Sequence, residues 1–370
     1  ITELARQMGI PVERIVKLAS NENPFGMSPK ARRAVEAALA GVERYPDQFD
    51  LIAALAERHG VAQEQIVLGN GSNDVLDLAA RVFLAPGRSS VFSRHAFAVY
   101  PLATMSTGAE CIAAPARDYG HDPAAMLAAI RSDTRLVWIA NPNNPTGNFL
   151  PYPEVRAFLE VVPPEVVVVL DEAYNEYLPP AERVDTAEWI KDFSNLVVTR
   201  TFSKIYGLAG LRVGYALASA EIADLMNRVR QPFNVNNLAI AAAVAALDDH
   251  LFVADSYNHR IQKYTSTGTY LGKWGYDYYI FPSGIFGDGE GHVLVMDANR
   301  CQLEKRDLNG TLLQIWGSTC GSGFTQFGNA YGMCTDGHGH IFVADTGNNR
   351  IQRLGDPAVP ARPSTWGRLK

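Results

Sequence analysis

The feature of this chain that most constrains its fold is a change of sequence pattern near residue 250. Residues 1–250 alternate short apolar, β-rich runs with Ala- and Leu-rich helical runs. Such alternation is typical of βαβ units built around a mostly parallel sheet. After His250 the apolar residues recur with period two, and Gly, Asp, Asn, Tyr and Trp become frequent. The sequence therefore predicts an α/β domain followed by an all-β domain.

An internal repeat organises the second part of the chain. The stretch LFVADSYNHRIQKY from Leu251 is echoed by VLVMDANRCQLEKR from Val293 and by IFVADTGNNRIQRL from Ile341. Each unit predicts a strand, a turn, a strand, a Gly turn and a strand ending in Trp-Gly, and such repeats predict stacked β-blades. Beyond the repeats, residues 355–370 form a Pro-rich tail that we predict to be poorly ordered.

Charge and hydropathy exclude several classes of function. The net charge of -6 argues against a broad basic surface, so a nucleic-acid partner is not expected. No apolar run is long enough to cross a bilayer and the first residues lack a signal-peptide layout, so we expect a cytoplasmic protein without a membrane partner. The cysteines Cys111, Cys301, Cys320 and Cys334 have no CxxC spacing, which predicts free thiols in a reducing compartment. No histidine has the spacing of a metal ligand, so no metal is assigned.

Four polar motifs follow the predicted strands of the first part. They are GNGSND (69–74), ANPNNPTG (140–147), LDEAY (170–174) and TRTFSKIYGLAGLRVGY (199–215). Ligands of open α/β sheets bind at the carboxyl ends of the strands, so these motifs predict one shared site. Taken together, they resemble the fold type I pyridoxal-phosphate aminotransferases. Further stretches, LASNENPFGMSP and RYPD, are similar to the histidinol-phosphate aminotransferases within that family, and the resemblance covers residues 1 to about 250.

The resemblance implies pyridoxal 5'-phosphate as the cofactor and gives catalytic roles to three residues. Lys204 would bond to the cofactor aldehyde and, once displaced by the substrate amine, would move a proton between the substrate Cα and the cofactor. Asp171 would keep the pyridine nitrogen protonated, so that the ring accepts electrons. Tyr174 and Asn144 would hydrogen-bond the phenolic oxygen of the cofactor.

Phosphate binding is implied for a second group of residues. Gly71, Ser72 and Asn73 would open a helix whose first amides hold the phosphate. Ser203 would add a hydroxyl, and Arg212 a bidentate cation. The alternative for Arg212 is an ordinary surface cation.

Three further residues match positions with other roles in the family. Phe97 matches the aromatic residue that stacks on the pyridine ring, although a lone aromatic is more often part of a core. Tyr45 matches a tyrosine that reaches the phosphate bound by the other subunit, which implies a homodimer. Asn23 lies where the family contacts its substrate.

The second part resembles the NHL β-propeller repeat over residues 251–354, and such blades imply a protein ligand. Propellers have about four to eight blades, and about three are recognisable here, so we expect a partial propeller. The C-terminal small domain of the aminotransferases, whose arginines bind substrate, has no counterpart after residue 250. We therefore predict transamination of histidinol phosphate, or a related amino donor, with 2-oxoglutarate, impaired by this loss. The alternative is a catalytically inactive chimera or an interaction module with an NHL-type surface.

Overall fold

The structure, a computed structural model, describes residues 2–15, 19–248, 250–265, 270–275, 281–288, 291–317, 319–335 and 340–355. The chain divides into two compact units between Leu247 and Asp248. The predicted tail lies outside the described residues from position 356 onward.

The first unit carries the helices of the described chain. They are α1 (Thr2–Met8), α2 (Pro29–Ala38), α3 (Phe49–His59), α4 (Ser72–Phe83), α5 (Val99–Ser106), α6 (Pro123–Ala128), α7 (Tyr152–Val161), α8 (Ala220–Val229) and α9 (Asn237–Leu247). Within the described ranges, none of these helices is long and apolar enough to cross a bilayer. The cytoplasmic location stays a prediction.

A seven-stranded sheet forms the centre of the first unit. Its strands are β1 (Ile66–Gly69), β2 (Ser89–Ser93), β3 (Glu110–Ala114), β4 (Thr134–Ala140), β5 (Val167–Asp171), β6 (Leu196–Thr201) and β7 (Gly214–Ala218). The spatial order is β1-β7-β6-β5-β4-β2-β3, in which β2 to β6 run parallel. Strand β7 pairs antiparallel with both β6 and β1. The predicted α/β fold with a mostly parallel sheet is confirmed.

Burial on both faces explains why the central strands read as continuous apolar runs. Every residue of β5 is buried. Val168 and Leu170 join the core on one face of the sheet, whereas Val167 and Val169 join the core on the other. Branched side chains suit this pleated environment. Asp171, the last residue of the strand, is therefore delivered to the carboxyl edge of the sheet.

In the residues of the second unit that the structure describes, the strands form three antiparallel sheets, which we name blades A, B and C. Blade A contains β8 (His250–Asp255), β9 (Arg260–Thr265) and β10 (Tyr270–Trp274). Blade B contains β11 (Pro282–Gly287), β12 (His292–Asp297), β13 (Gln302–Asp307) and β14 (Leu312–Trp316). Blade C contains β15 (Gly332–Thr335), β16 (Ile341–Asp345) and β17 (Arg350–Leu354).

The three strands predicted for each repeat unit are present as β8, β9 and β10 in blade A and as β12, β13 and β14 in blade B, and the third copy forms β16 and β17 of blade C. The all-β character of this region is confirmed. Strands β11 and β15 lie ahead of the repeat copies and were not expected from them. The same ion pair recurs in two blades, because Arg260 donates to Asp255 in blade A and Arg350 donates to Asp345 in blade C, each at 2.7 Å. The signature residues thus close the turn between the two repeat strands.

The prediction of four free thiols is wrong for two of the cysteines. Cys301 and Cys320 form a disulfide, with their Cα atoms 5.0 Å apart, whereas Cys111 and Cys334 are free. The two bonded residues are separated by 19 positions in the sequence. The fold of blade B and the loop after it brings them together, which no local spacing pattern reveals.

Candidate active site

A cavity of about 440 Å³ opens at the carboxyl edge of the sheet in the first unit. The loops after β4, β5 and β6 and the start of α4 line it. Most of the residues predicted to bind the cofactor share this wall: Ser72, Asn73, Phe97, Asn144, Asp171, Tyr174, Ser203, Lys204 and Arg212. The motifs that are scattered over 140 positions of sequence therefore meet at one place, as the strand-end argument predicts.

Lys204 follows β6 and brings a primary amine to the cavity wall. Its Nζ donates hydrogen bonds to the backbone carbonyls of Ser20 and Asn21, at 3.0 and 3.1 Å. The same nitrogen lies 5.4 Å from the centre of the Tyr174 ring. Two carbonyl contacts and one aromatic face hold the amine in a defined position at the cavity wall.

Asp171 supplies a buried carboxyl group to the same cavity. Its Oδ2 accepts a hydrogen bond from the Tyr100 hydroxyl at 2.9 Å, and its Oδ1 accepts one from Thr199 Oγ1 at 3.0 Å. Burial raises the pKa of Asp171, and the hydrogen bonds from Tyr100 and Thr199 oppose that rise. A carboxylate in this setting gains strongly from a cationic ligand group.

Tyr100 is a residue of this site that the sequence analysis missed. It is fully buried in α5, and its ring stacks on Trp138 with the centroids 5.1 Å apart. It also meets the Phe97 ring edge-on at 5.8 Å. Tyr100 therefore supports two cavity residues, Asp171 and Phe97. The available signal was its place three residues after Phe97, where α5 begins and the Tyr100 backbone N–H donates to the Phe97 carbonyl at 3.1 Å.

The Tyr174 hydroxyl is the centre of a second polar group. It accepts hydrogen bonds from Asn21 Nδ2 at 3.0 Å and from Asn144 Nδ2 at 3.3 Å. The loop that carries Asn144 is fixed by its neighbour Asn143, whose Nδ2 donates to Thr146 Oγ1 at 2.7 Å. Asn21 was not predicted as a site residue, and the only signal for it in the sequence was its place in the stretch LASNENPFGMSP.

A guanidinium, a hydroxyl and a helix start converge at one end of the cavity. Arg212 Nη1 donates to Ser203 Oγ at 3.2 Å. Helix α4 begins at Ser72, directly after Gly71, whose φ is +83°. A Cβ on Gly71 would collide with the Arg212 guanidinium, so only glycine leaves this space open. Free helix amides next to a cation form an anion site.

Three predicted residues do not line the cavity: Gly71, which directly precedes the start of α4, and Tyr45 and Asn23. The Tyr45 side chain is exposed and stacks on Phe233, with ring centroids 4.5 Å apart. The Asn23 side chain donates to the Ile205 carbonyl at 2.8 Å and accepts from the Phe25 amide at 3.0 Å. Asn23 thus shapes the loop beside the cavity, and its substrate role and the intersubunit role of Tyr45 stay predictions.

A buried ion pair stabilises the segment that follows Asp171. Glu172 and Arg200 are both buried, and the carboxylate lies 2.6 Å from the guanidinium. The Glu172 carboxylate also accepts hydrogen bonds from the hydroxyls of Tyr152 and Thr186, each at 2.7 Å. None of these four residues lines the cavity. The glutamate of the DEAY motif is therefore structural.

Comparison with known proteins gives two family matches. The model for aminotransferase class I and II matches residues 13–273, a range that runs into blade A. The model for the NHL repeat matches residues 327–354, which include β16 and β17.

Individual relatives agree with the first match. Histidinol-phosphate aminotransferase 1 of Dechloromonas aromatica (strain RCB) is 85% identical over 257 residues, which are 70% of this chain and 71% of that protein. Histidinol-phosphate aminotransferase 2 of Nitrosospira multiformis is 62% identical over 259 residues, 70% of this chain and 66% of that protein. The chain thus spans about two thirds of the relatives' length. A crystal structure of histidinol-phosphate aminotransferase from Sinorhizobium meliloti in complex with pyridoxal-5'-phosphate superposes with a TM-score of 0.64 at 29% identity, covering 71% of this chain and 78% of that one.

Proposed function

The chain belongs to the class I and II aminotransferases, which use pyridoxal 5'-phosphate, and we propose that its first unit binds this cofactor to transfer the amino group of histidinol phosphate, or of a related amino donor, to 2-oxoglutarate. The observation that carries the proposal is the meeting of Asp171, Lys204 and Arg212 around one cavity. The choice of amino donor rests on the 85% identical relative.

The cavity residues fit the cofactor from its ring to its phosphate. The buried Asp171 carboxylate would pair with the pyridine nitrogen, and Phe97 would cover a face of the ring. Tyr174 and Asn144 would hydrogen-bond the phenolic oxygen. The anion site beside Arg212 would hold the phosphate, since its guanidinium and the start of α4 carry positive charge. When bound, the cofactor supplies a ring that accepts the electrons of the substrate Cα–H bond.

Lys204 has two proposed tasks. Its Nζ would attach the resting cofactor covalently. When the substrate amine takes over that attachment, the released amine would take the proton from the substrate Cα as a general base and deliver it to the cofactor carbon as a general acid. The carbonyls of Ser20 and Asn21 support this role, because they hold the Nζ atom at the cavity wall.

A homodimer through the first unit is the proposed assembly. Tyr45 is exposed and lies outside its own chain's cavity, which suits a side chain that serves the cofactor phosphate of the other subunit. A dimer-dependent cofactor affinity is the expected consequence.

The proposed activity is impaired because the second unit replaces the part of the family that binds substrate. We divide the chain into an aminotransferase core at 1–250, NHL blades at 251–354 and a tail at 355–370. The core keeps the cofactor residues, whereas the arginines that would bind the remote groups of the substrate belong to the absent small domain. Binding energy from those groups normally lowers the barrier of the chemical step, so kcat/KM falls.

One observation favours a second candidate, an interaction module with an inactive core: all described structure after His250 is β-blades.

The first experiment tests cofactor capture. Pyridoxal phosphate is added to the purified chain, and visible absorption is followed before and after borohydride reduction, with Lys204→Ala alongside. Lys191→Ala is the matched control, because Lys191 is an exposed lysine at the end of a short helix away from the cavity. The proposal expects a band and a reduced, trapped cofactor in the wild type and the control only. A folded wild type without a band favours the interaction module.

The second experiment tests the substrate. Histidinol phosphate is mixed with the loaded chain, and loss of the cofactor band is timed in a single turnover. We expect conversion that is much slower than in the 85% identical relative assayed in parallel. Equal rates would refute the proposed impairment, and conversion of other amino donors but not histidinol phosphate would refute the donor.

A further inference from the structure

The three blades bury equivalent residues to different extents. In each repeat copy, two apolar residues of the first repeat strand lie on the same face of the blade. In blades B and C this face contacts the preceding blade, and we name it the rear face in all three blades. The equivalent pairs are Leu251 and Val253 in blade A, Val293 and Val295 in blade B, and Ile341 and Val343 in blade C. In blades B and C these residues are at most 6% exposed. In blade A, Leu251 is 52% and Val253 is 38% exposed.

The opposite side of each blade, its front face, shows the same contrast at the other end of the array. The second repeat strand carries Ile261 in blade A, Leu303 in blade B and Ile351 in blade C at equivalent positions. Ile261 and Leu303 are 0% exposed, whereas Ile351 is 50% exposed. Its neighbour Ala344 is exposed too. Blade C therefore has an open front face, and blade A has an open rear face.

The two contacts between consecutive blades show what these faces bind. Between blades A and B, Ile261 clusters with Val293 and Val295. Between blades B and C, Leu303 clusters with Ile341 and Val343. In both places a front-face residue of one blade packs on the rear-face pair of the next. The surface that complements Leu251 and Val253 is thus a front face like that of blade C.

We propose that the open rear face of blade A binds the open front face of blade C in a second copy of this chain. Each copy offers one of each face, so the contact is head-to-tail and repeats the packing already present twice within the chain. Two copies give two such contacts and a closed ring of six blades, which lies within the usual size range of propellers of about four to eight. Closure removes both exposed apolar faces from water, which favours it over an open array.

Disulfide trapping tests this contact in the full chain. Val253→Cys and Ile351→Cys are introduced singly and together, in a Cys334→Ser background that removes an exposed native thiol. After mild oxidation, non-reducing electrophoresis should show several-fold more covalent dimer from the double variant than from either single variant. The reason is that position 253 of one copy contacts position 351 of the other copy, and neither position contacts its own equivalent. Pairing Val253→Cys with Leu313→Cys is the matched control, since Leu313 is equally exposed but lies on β14.

The outcomes separate this contact from dimerisation of the first unit. Dimers held by the first unit alone leave the blades apart and give no covalent dimer in the double variant, which overturns the proposal. A covalent dimer from Val253→Cys alone indicates rear-to-rear packing, and a cross-linked monomer indicates closure within one chain; both overturn it as well. Circular dichroism melting of each variant shows that the blades are folded. The test needs no cofactor, so failure of the proposed enzyme activity does not affect it.

Discussion

Replacing Tyr100 by phenylalanine tests the proposed cofactor site at its least obvious residue. Tyr100→Phe removes only the hydroxyl that donates to Asp171 Oδ2 at 2.9 Å, and the ring can keep its stacking on Trp138. Burial already raises the pKa of Asp171, and losing this donor raises the pKa further. The carboxylate then pairs less well with a cationic pyridine nitrogen.

The magnitude follows from the contact that is lost. A hydrogen bond to a charged group contributes about 1.5–3 kcal/mol. Since about 1.4 kcal/mol corresponds to a tenfold change in affinity, we expect the cofactor Kd to rise by roughly ten- to a hundredfold. The lower part of that range is favoured, because Thr199 still donates to Oδ1 of Asp171 at 3.0 Å. The assay is titration of the cofactor-free chain with pyridoxal phosphate, followed by visible absorption.

Tyr152→Phe is the matched control for this prediction. Tyr152 is also buried, and its hydroxyl also donates to a carboxylate, that of Glu172 at 2.7 Å, but neither residue lines the cavity. We expect this variant to lose thermal stability while its cofactor Kd stays within about twofold of wild type, because the Tyr152 hydroxyl contacts Glu172 and Asn175 and not Asp171. Wild-type affinity in Tyr100→Phe, or equal weakening in both variants, would show that the hydroxyl has no specific role at Asp171.

Three further outcomes are expected. Gly71→Ala should weaken cofactor binding by at least about tenfold, since the new Cβ meets the Arg212 guanidinium and φ is +83°; unchanged titration would contradict the phosphate site. Glu172→Gln should lower the free energy of unfolding of the first unit by about 3–5 kcal/mol in urea, because it leaves the buried Arg200 charge without its nearest partner. Burial lowers the pKa of His59, so neutral His59 stabilises the fold above the unfolded pKa of about 6.5, and this contribution is lost as pH falls toward the folded pKa. His59→Gln should flatten that acid loss, and melting curves between about pH 7 and 5 that match wild type would refute it.

Local sequence was enough to predict most of the cavity. Asp171 ends β5, and Lys204 and Asn144 lie in the loops that follow β6 and β4. Strand ends meet at one edge of a parallel sheet, so the residue types and the place could be inferred together. The residues that contact these cavity residues from distant parts of the chain could not be predicted from local sequence. Tyr100 and Asn21 contact cavity residues 71 and 153 positions away, respectively.

In the second unit too, local features were predicted from the sequence, and features that depend on distant contacts were missed. Period-two alternation and the repeated turns predicted the three strands of each repeat unit, which are β8, β9 and β10 in blade A and β12, β13 and β14 in blade B, because pleat and turn chemistry act within a few residues. Strands β11 and β15 lie outside the repeat copies, and they were missed because pairing with β12 and β16 defines them. The Cys301–Cys320 disulfide was missed for a similar reason.

The sequence by itself therefore determined the α/β-to-β order of the chain, the residues at the strand ends and the chemistry they can perform. Only the tertiary structure decided that Tyr100 supports Asp171 and that the rear face of blade A is open although its repeat equivalents are buried. The physical reason is the distance along the chain over which each effect acts. Backbone preference and side-chain alternation are set by neighbours along the chain, whereas burial and partner choice depend on which distant surfaces pack together and exclude water.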